Sequence, residues 1–541
     1  MSQPQTRLTI GKTPIKIKAL KIYLTAYPYQ KTAQELMSGF ENGFRLHYTG
    51  PPHSKEYKNL KSAVQLPNIV NEKLSNEISL GRMAGPFAKI PIDNLRCSPV
   101  GLVPKKSPGE YRLIHHLSYP IGESVNDFIA PELRSVNYTA FDEAITLIQS
   151  IGPNVFLAKA DIKSAFRLLP VSPLDFVQLG IKFNGSYYID KCMPFGCAIA
   201  CATFEKFATF IEWAVSRQLN RVHHGILHYL DDFLFVGSSF DRCQEILRIF
   251  HSVCTDLAIP IAHDKSEGPV RCLTFLGLTV DVPRREVRIP QAKVHEIMDK
   301  LTQFASHSKQ TLRAFQSLIG SLNFACKAIT PGRPFIRRLI DATSNVSQSH
   351  HHIRVTACIK QDLAMWQRFF TNHNGVTMFK DINWTSTDKL QLYSDSAGGQ
   401  GRGFGVYFNG QWCNGSWPDS WHIAGITSDI TFLEFFPILV AVFTWPHQLR
   451  NRKVIFRSDN QAVVHIINKL STTSKNTMYL VREFTLQCMR LNMLAKAEHI
   501  PGLKNEICDA LSRFQLQRFR RLAPEAAQYP TDVPSAVWEV I

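Results

Sequence analysis

Apolar and polar positions alternate along the chain in short runs, and several apolar runs end in an acid or are interrupted by one. In Leu227–Gly237, LHYLDDFLFVG, runs on both sides of Asp231 and Asp232 predict two strands of a buried hairpin with the acid pair at its turn. Burying unpaired carboxylates is costly, so either a divalent cation compensates them or the pair belongs to an ordinary acidic turn. Residues 154–166, NVFLAKADIKSAF, repeat the pattern: a strand ends at Asp161, and Phe166 follows five residues later. Upstream, Ser98–Ser118 carries two apolar runs around the turn-prone Ser107-Pro108-Gly109, with Lys105, Lys106 and Arg112 about it. Such a tip suits a triphosphate, or is a solvated surface hairpin. Phe195–Trp213 follows a Pro-Phe-Gly break with aromatics at helical spacing, which predicts a helix packed on the acid-bearing sheet. Ile259–Val280 supplies a His263-Asp264-Lys265-Ser266 loop and an apolar strand at Phe275–Leu278. Residues 1–90 are mixed and form a lead-in segment, closed by the helix-breaking stretch Gly81–Phe87.

Beyond residue 280 the helical patterns Gln291–Ala305 and Leu312–Cys326 carry Lys and Arg on polar faces, and Asp341–His352 is a polar loop whose three histidines lack cysteine partners. A second set of acids follows. Asp395 lies in LYSDSA, Glu434 in the helix-like run TFLEFFPILVAVF, Asp459 after the strand Val454–Phe456, and Asp509 in HIPGLKNEICDALSR, ten residues after His499. Pro437 in the second of these is tolerable only in a first helical turn. The glycines from Gly399 to Gly405 are not a dinucleotide fingerprint, because Gly405–Trp412 continues as strand and turn rather than opening a helix.

At 541 residues with 45% apolar composition, the chain has material for three or four packed domains. The net charge of +17 points to a polyanionic partner, with nucleic acid first and a merely soluble basic surface as the alternative. Twelve scattered cysteines without a C-x-x-C pair imply free thiols in a reducing compartment. The amino terminus lacks the apolar core of a signal peptide, and the most apolar window, Phe435–Trp445, is too short to span a bilayer. The expectation is an intracellular protein, cytoplasmic or nuclear, without a membrane role.

Five blocks in order resemble the reverse transcriptases: the hairpin with Lys105 and Arg112, the Asp161–Phe166 stretch, Met193-Pro194-Phe195-Gly196 with its helix, Tyr229-Leu230-Asp231-Asp232, and the Lys265 loop followed by Phe275-Leu276-Gly277. Asp395, Glu434, Asp459 and Asp509, with His499, resemble a ribonuclease H domain. The pattern is similar to the polymerase and nuclease region of LTR-type retrotransposons, DIRS-like and gypsy-like elements in particular, and it covers residues 80–515.

The resemblance implies an α/β and α+β multidomain chain, a right-hand polymerase followed by a ribonuclease H-like mixed sheet. Its expected divisions are fingers and palm at 91–280, thumb and connection at 281–385, ribonuclease H at 386–515, and a basic tail at 516–541 in which Arg518, Arg520 and Arg521 extend a nucleic-acid surface. It further implies RNA-directed DNA polymerase and ribonuclease H activities using Mg2+, two ions per site, or Mn2+. Asp161, Asp231 and Asp232 would hold metal in one site, and Asp395, Glu434, Asp459 and Asp509 in the other. Lys105 and Arg112 would hold the dNTP triphosphate, Phe166 would lie beneath its sugar, and Phe195 and Gly196 would line the pocket. Lys265 is either a proton donor to the departing pyrophosphate or a phosphate-contacting surface lysine. His499 either assists the nuclease or is a hydrogen-bonded loop histidine.

Partners would be an RNA template, a DNA primer and an RNA–DNA hybrid, with a recombinase encoded elsewhere in the element. One departure stands out: His115-His116-Leu117 replaces the acid and arginine that many relatives carry after the fingers hairpin. Two alternatives stay open, a host-retained nucleic-acid-binding protein whose catalysis has lapsed and a protein with one activity only.

Overall fold

Four strands form the sheet that bears the first acid set: β1 (Phe156–Asp161), β2 (His224–Tyr229), β3 (Asp232–Gly237) and β4 (Glu267–Val270). They run antiparallel in the order β2–β3–β1–β4. The unbroken apolar run in β3 reflects cover on both faces, since every residue from Phe233 to Gly237 is buried. Helix α1 (Ala200–Ser216) lays Phe204, Phe207, Ile211 and Val215 into the core at helical spacing. Helix α2 (Phe240–Leu257) is capped by Ser239, whose side chain accepts from the Arg242 N–H, and it buries Ile246, Phe250, Val253 and Leu257.

The structure, a computed structural model, describes residues 8–52, 54–105, 109–219, 224–373, 376–379, 383–390, 392–501 and 505–540. Lys106, Ser107 and Pro108 of the basic hairpin tip lie outside the described residues. The chain forms two compact units, Met1–Leu273 and Thr274–Ile541.

In the first unit, residues 8–90 are more than a lead-in. Helices Ile17–Thr25 and Gln30–Asn42 put Leu20, Leu24, Leu36 and Phe40 into the same core as α1, with the Phe40 and Phe207 rings 4.9 Å apart. The helix break at Gly81–Phe87 is a strand, Met83–Phe87, antiparallel to Ser186–Asp190. The basic hairpin forms as expected, Val100–Pro104 pairing antiparallel with Tyr111–His115.

The second unit begins with an antiparallel arrangement of Leu278–Asp281, Glu286–Arg288 and Val376–Met378, and with helices Gln291–Ala305 and Leu312–Ala325. Downstream, β5 (Leu392–Ser396), β6 (Gly403–Phe408) and β7 (Gln411–Ser416) form an antiparallel meander. Helix α3 (Ile430–Thr444) is apolar nearly all round and buried accordingly. Pro437 stands in its interior rather than its first turn, so the helix tolerates the missing N–H one turn beyond Glu434. Strands β8 (Lys453–Ser458) and β9 (Leu494–His499) pair in parallel, and Trp384–Ser386 joins the other edge of β8.

In place of the single mixed sheet expected here, the described residues form two separate three-stranded sheets, one antiparallel and one parallel. Helices α4 (Glu506–Ser512) and α5 (Leu516–Leu522) close the fold. Residues 516–540 pack on the rest of this unit: Phe519 is fully buried against Trp412, and Trp538 packs on Phe404, Trp421 and Phe436. All twelve cysteines are free thiols. No described helix is long and apolar enough to cross a membrane.

Candidate active sites

Strand register brings the first acids together. Asp161, the last residue of β1, pairs with Asp232, the first of β3, and Asp232 pairs across the hairpin with Tyr229. Leu230 and Asp231 make the turn, Leu230 in the left-handed region at φ 54°, and the Ile162 N–H donates to the Asp231 carbonyl at 3.0 Å. Burial, then the neighbouring Asp231 and Asp161 charges, push Asp232 up to about 6. Asp231 is raised by burial and by Asp161, against the opposing pull of Lys265 and Arg112. The Lys265 ammonium lies 3.2 and 3.1 Å from the two Asp161 oxygens. Burial opposes its charge, and Asp161 outweighs that, holding Lys265 above its ordinary value.

A cavity of about 610 Å³ opens beside these acids, lined by Arg112, Asp161, Phe166, Phe195, Asp231 and Lys265. The Arg112 guanidinium sits 4.7 Å over the Phe195 ring, and the Phe195 and Phe166 rings are 5.6 Å apart. Gly196, at φ 115°, is required here: a Cβ would stand 2.0 Å from the His115 carbonyl oxygen. Lys105 is exposed and bonds Glu110 at 3.1 Å.

In the second unit, β5, α3 and the end of β8 deliver Asp395, Glu434 and Asp459, whose ligand oxygens lie within 4.8 Å of one another. Among the described residues this is the one group of three acids drawn so close; the Asp161 set is not, with both Asp161 oxygens engaged by Lys265. Burial, then Asp395 and Asp459, push Glu434 up to about 8. Burial raises Asp395 to about 6 despite the Ser512 hydroxyl, which donates to it at 2.8 Å.

Asp509 stands apart from the three. Arg513 and Arg518 each donate to one of its oxygens at 2.6 Å and, outweighing burial, hold it below its ordinary value. Arg518 is thus a partner of Asp509, and Arg520 donates to the Ala526, Ala527 and Gln528 carbonyls. His499 ends β9 at the rim, its Nε2 donating to the Asp459 carbonyl at 3.0 Å.

Residues 103–280 match the family model of the reverse transcriptase (RNA-dependent DNA polymerase). This stretch is a reverse transcriptase domain. No curated protein matches the chain. Solved structures similar to it include the foamy viral protease-reverse transcriptase dRH with double-stranded DNA, 14% identical over 92% of this chain and 84% of that one, at TM-score 0.46. The foamy viral protease-reverse transcriptase with double-stranded DNA is 14% identical over 92% of this chain and 99% of that one, at 0.44. The same protein with an RNA/DNA hybrid is 14% identical over 93% and 65%, at 0.46.

Sequence reasoning missed two buried charge groups in the reverse transcriptase domain. Arg167, next to Phe166, gives Nε and a terminal nitrogen to Glu77 at 2.9 and 2.7 Å, pairs with Asp190 at 2.8 Å, and donates to the Cys192 and Met193 carbonyls at 2.9 and 3.3 Å. Asp190 lies 3.3 Å from His115 Nδ1, and His115 Nε2 faces the Gly180 carbonyl at 3.1 Å. The second group is His228, one residue before Tyr229, held between Glu205 at 3.0 Å and Glu212 at 2.5 Å. Burial opposes its charge, and the two glutamates outweigh burial, raising His228 to about 9. The available signal was the His115 departure and an arginine placed directly after Phe166 in an apolar run.

Proposed function

We propose that the chain is an RNA-directed DNA polymerase joined to a ribonuclease H, the replicating enzyme of an LTR-type retrotransposon. The observation that carries this reading is the junction, within a matched reverse transcriptase domain, of Asp161 and Asp231, with Asp232 paired to Asp161, and a cavity bearing Arg112 and Phe166. For the second activity, the support is Asp395, Glu434 and Asp459 meeting within 4.8 Å.

The donor sets fit a hard divalent cation such as Mg2+: both consist of carboxylate oxygens, and burial with mutual repulsion raises Asp232, Asp395 and Glu434 in a way that a nearby cation offsets. Asp161, Asp231 and Asp232 would hold it in one site and Asp395, Glu434 and Asp459 in the other. When bound, it supplies activation of the attacking oxygen and neutralisation of the leaving one. Asp509, with both oxygens taken by arginines, is the acid least ready to join.

The chain's own groups do the rest. Arg112, fixed over Phe195, binds a dNTP triphosphate through charge-assisted hydrogen bonds, and Phe166 forms the floor beneath the sugar. Lys265 carries a proton at the polymerase acids, where developing phosphate charge draws it. His499, beside Asp459, holds a proton at the nuclease rim. RNA template, DNA primer and RNA–DNA hybrid are the partners, which the net charge of +17 favours.

The test is Mg2+-dependent dNTP incorporation on a primed RNA together with cleavage of a labelled hybrid. Asp231→Asn should abolish synthesis and spare cleavage, and Glu434→Gln the reverse. Loss of both activities from either change in a folded protein sinks the two-site reading, and a parent that binds hybrid without either activity favours lapsed catalysis.

A further inference from the structure

Phe166, Phe195 and Arg112 reach the cavity from three different elements, the short turn of helix Ala165–Leu168, the loop after Ser186–Asp190, and the strand Tyr111–His115. What joins them is a buried group in the cavity wall: Arg167, 5% exposed, Asp190, 3%, and His115, 2%.

One guanidinium ties two of the walls. Through Nε and a terminal nitrogen Arg167 anchors the Phe166 turn to Glu77, and through its other terminal nitrogen it grips the carbonyls of Cys192 and Met193, three and two positions before Phe195. Asp190 pairs with Arg167 on one side and faces His115 on the other, while the His115 backbone N–H donates to the Phe195 carbonyl at 2.9 Å. His115 also ends the strand that bears Arg112. The 5.6 Å approach of Phe195 to Phe166 and the 4.7 Å approach of Arg112 to Phe195 are therefore braced by a buried charge network in the wall of the same cavity.

We infer that Arg167, with Asp190 and His115, is the positioning group for sugar selection: it fixes how far the Phe166 ring stands into the space of a 2′-hydroxyl. The inference rests on the polymerase reading and deepens it. A steric gate rejects a substrate by tenths of an ångström, so its precision depends on the rigidity of what holds it. Lysine cannot substitute for the arginine, because a single ammonium does not span two carboxylates and two carbonyls in one plane.

The experiment measures dNTP and rNTP incorporation efficiencies on a primed RNA for the parent, Arg167→Lys, Phe166→Val and the double variant, with melting curves alongside. Arg167→Lys is expected to lose at least about fivefold in dNTP-over-rNTP preference, and in the double variant to add less than about twofold to the loss from Phe166→Val, because both act on one ring. His115→Gln, which keeps a donor toward the Gly180 carbonyl, should shift the ratio in the same direction by a smaller factor, and it decides the matter if Arg167→Lys does not fold.

Variants that lower both efficiencies equally, leaving the ratio at the parent's value, overturn the inference and leave a general packing role. So does a double variant whose effects multiply. A parent that incorporates neither nucleotide overturns the polymerase reading, and this inference with it.

Discussion

Glu434→Gln should make the metal-free protein more stable while removing hybrid cleavage. Burial, Asp395 and Asp459 raise the Glu434 carboxyl from 4.5 to about 8. Between those values the folded state binds a proton that the unfolded chain has released, so stability falls as pH rises through that window and levels off above about 8. At pH 7 the uptake costs the folded state about 3 kcal/mol, at about 1.4 kcal/mol per unit. Glutamine keeps the shape and carries no charge to suppress.

For a unit of this size about 3 kcal/mol corresponds to a rise of roughly 6–10 °C in Tm. Scanning calorimetry in a chelating buffer at pH 6, 7 and 8.5 should show the gap between variant and parent widening with pH. Adding Mg2+ should then stabilise the parent, by about 2.7 kcal/mol at a hundredfold excess over Kd, and the variant much less. Equal Tm values in chelator at pH 8.5, or equal gains from Mg2+, would refute the view that these three acids form a charge cluster awaiting a cation.

Three further changes probe the reverse transcriptase domain. His228 is raised from 6.5 to about 9 by Glu205 and Glu212 against burial, so its stabilisation, about 3 kcal/mol, is fully present below 6.5 and lost as pH rises through 9; His228→Gln should flatten the stability profile across that range in denaturant titrations. Arg112→Ala should weaken dNTP use by a charge-assisted contact of roughly 1.5–3 kcal/mol and leave primer-template affinity near the parent's, whereas the opposite split would make Arg112 a template contact. Phe166→Val should keep dNTP incorporation and accept rNTPs at least about tenfold better, about 1.4 kcal/mol of discrimination, while an unchanged ratio with a lower Tm would mark a core aromatic.

Most of what was legible in the sequence came from period and punctuation. The run Phe233–Gly237, the acid pair at a hairpin turn and the helix that buries Phe204, Phe207 and Ile211 all follow from local pattern, because each element's burial is written in its own residues. Pairings between distant elements were not. The helices before residue 45 share the core of α1, residues 186–190 pair with residues 83–87, and nothing local announces either. Pro437 misled in the same way, since a helix buried on nearly every side gains enough from packing to carry a proline that an exposed one would not.

The charge count shows where composition stops being informative. A net charge of +17 suggests a surface ready for phosphates, yet several of the arginines that contribute to it are engaged within the chain: buried Arg167 with Glu77 and Asp190, half-exposed Arg518 with Asp509, and half-exposed Arg520 with three backbone carbonyls. Arginine suits such positions because its planar fork satisfies several acceptors at once and keeps its charge when buried. Arg112 is the contrasting case, exposed over Phe195 at the edge of the cavity, with its charge facing Asp231. What separates the two uses is which acceptors the fold brings into hydrogen-bond contact with the guanidinium, a property that a count of lysines and arginines does not contain. The His115 departure belongs to the same account: a residue that stands out in the sequence only as a break in the family pattern is, in the fold, a buried partner for Asp190.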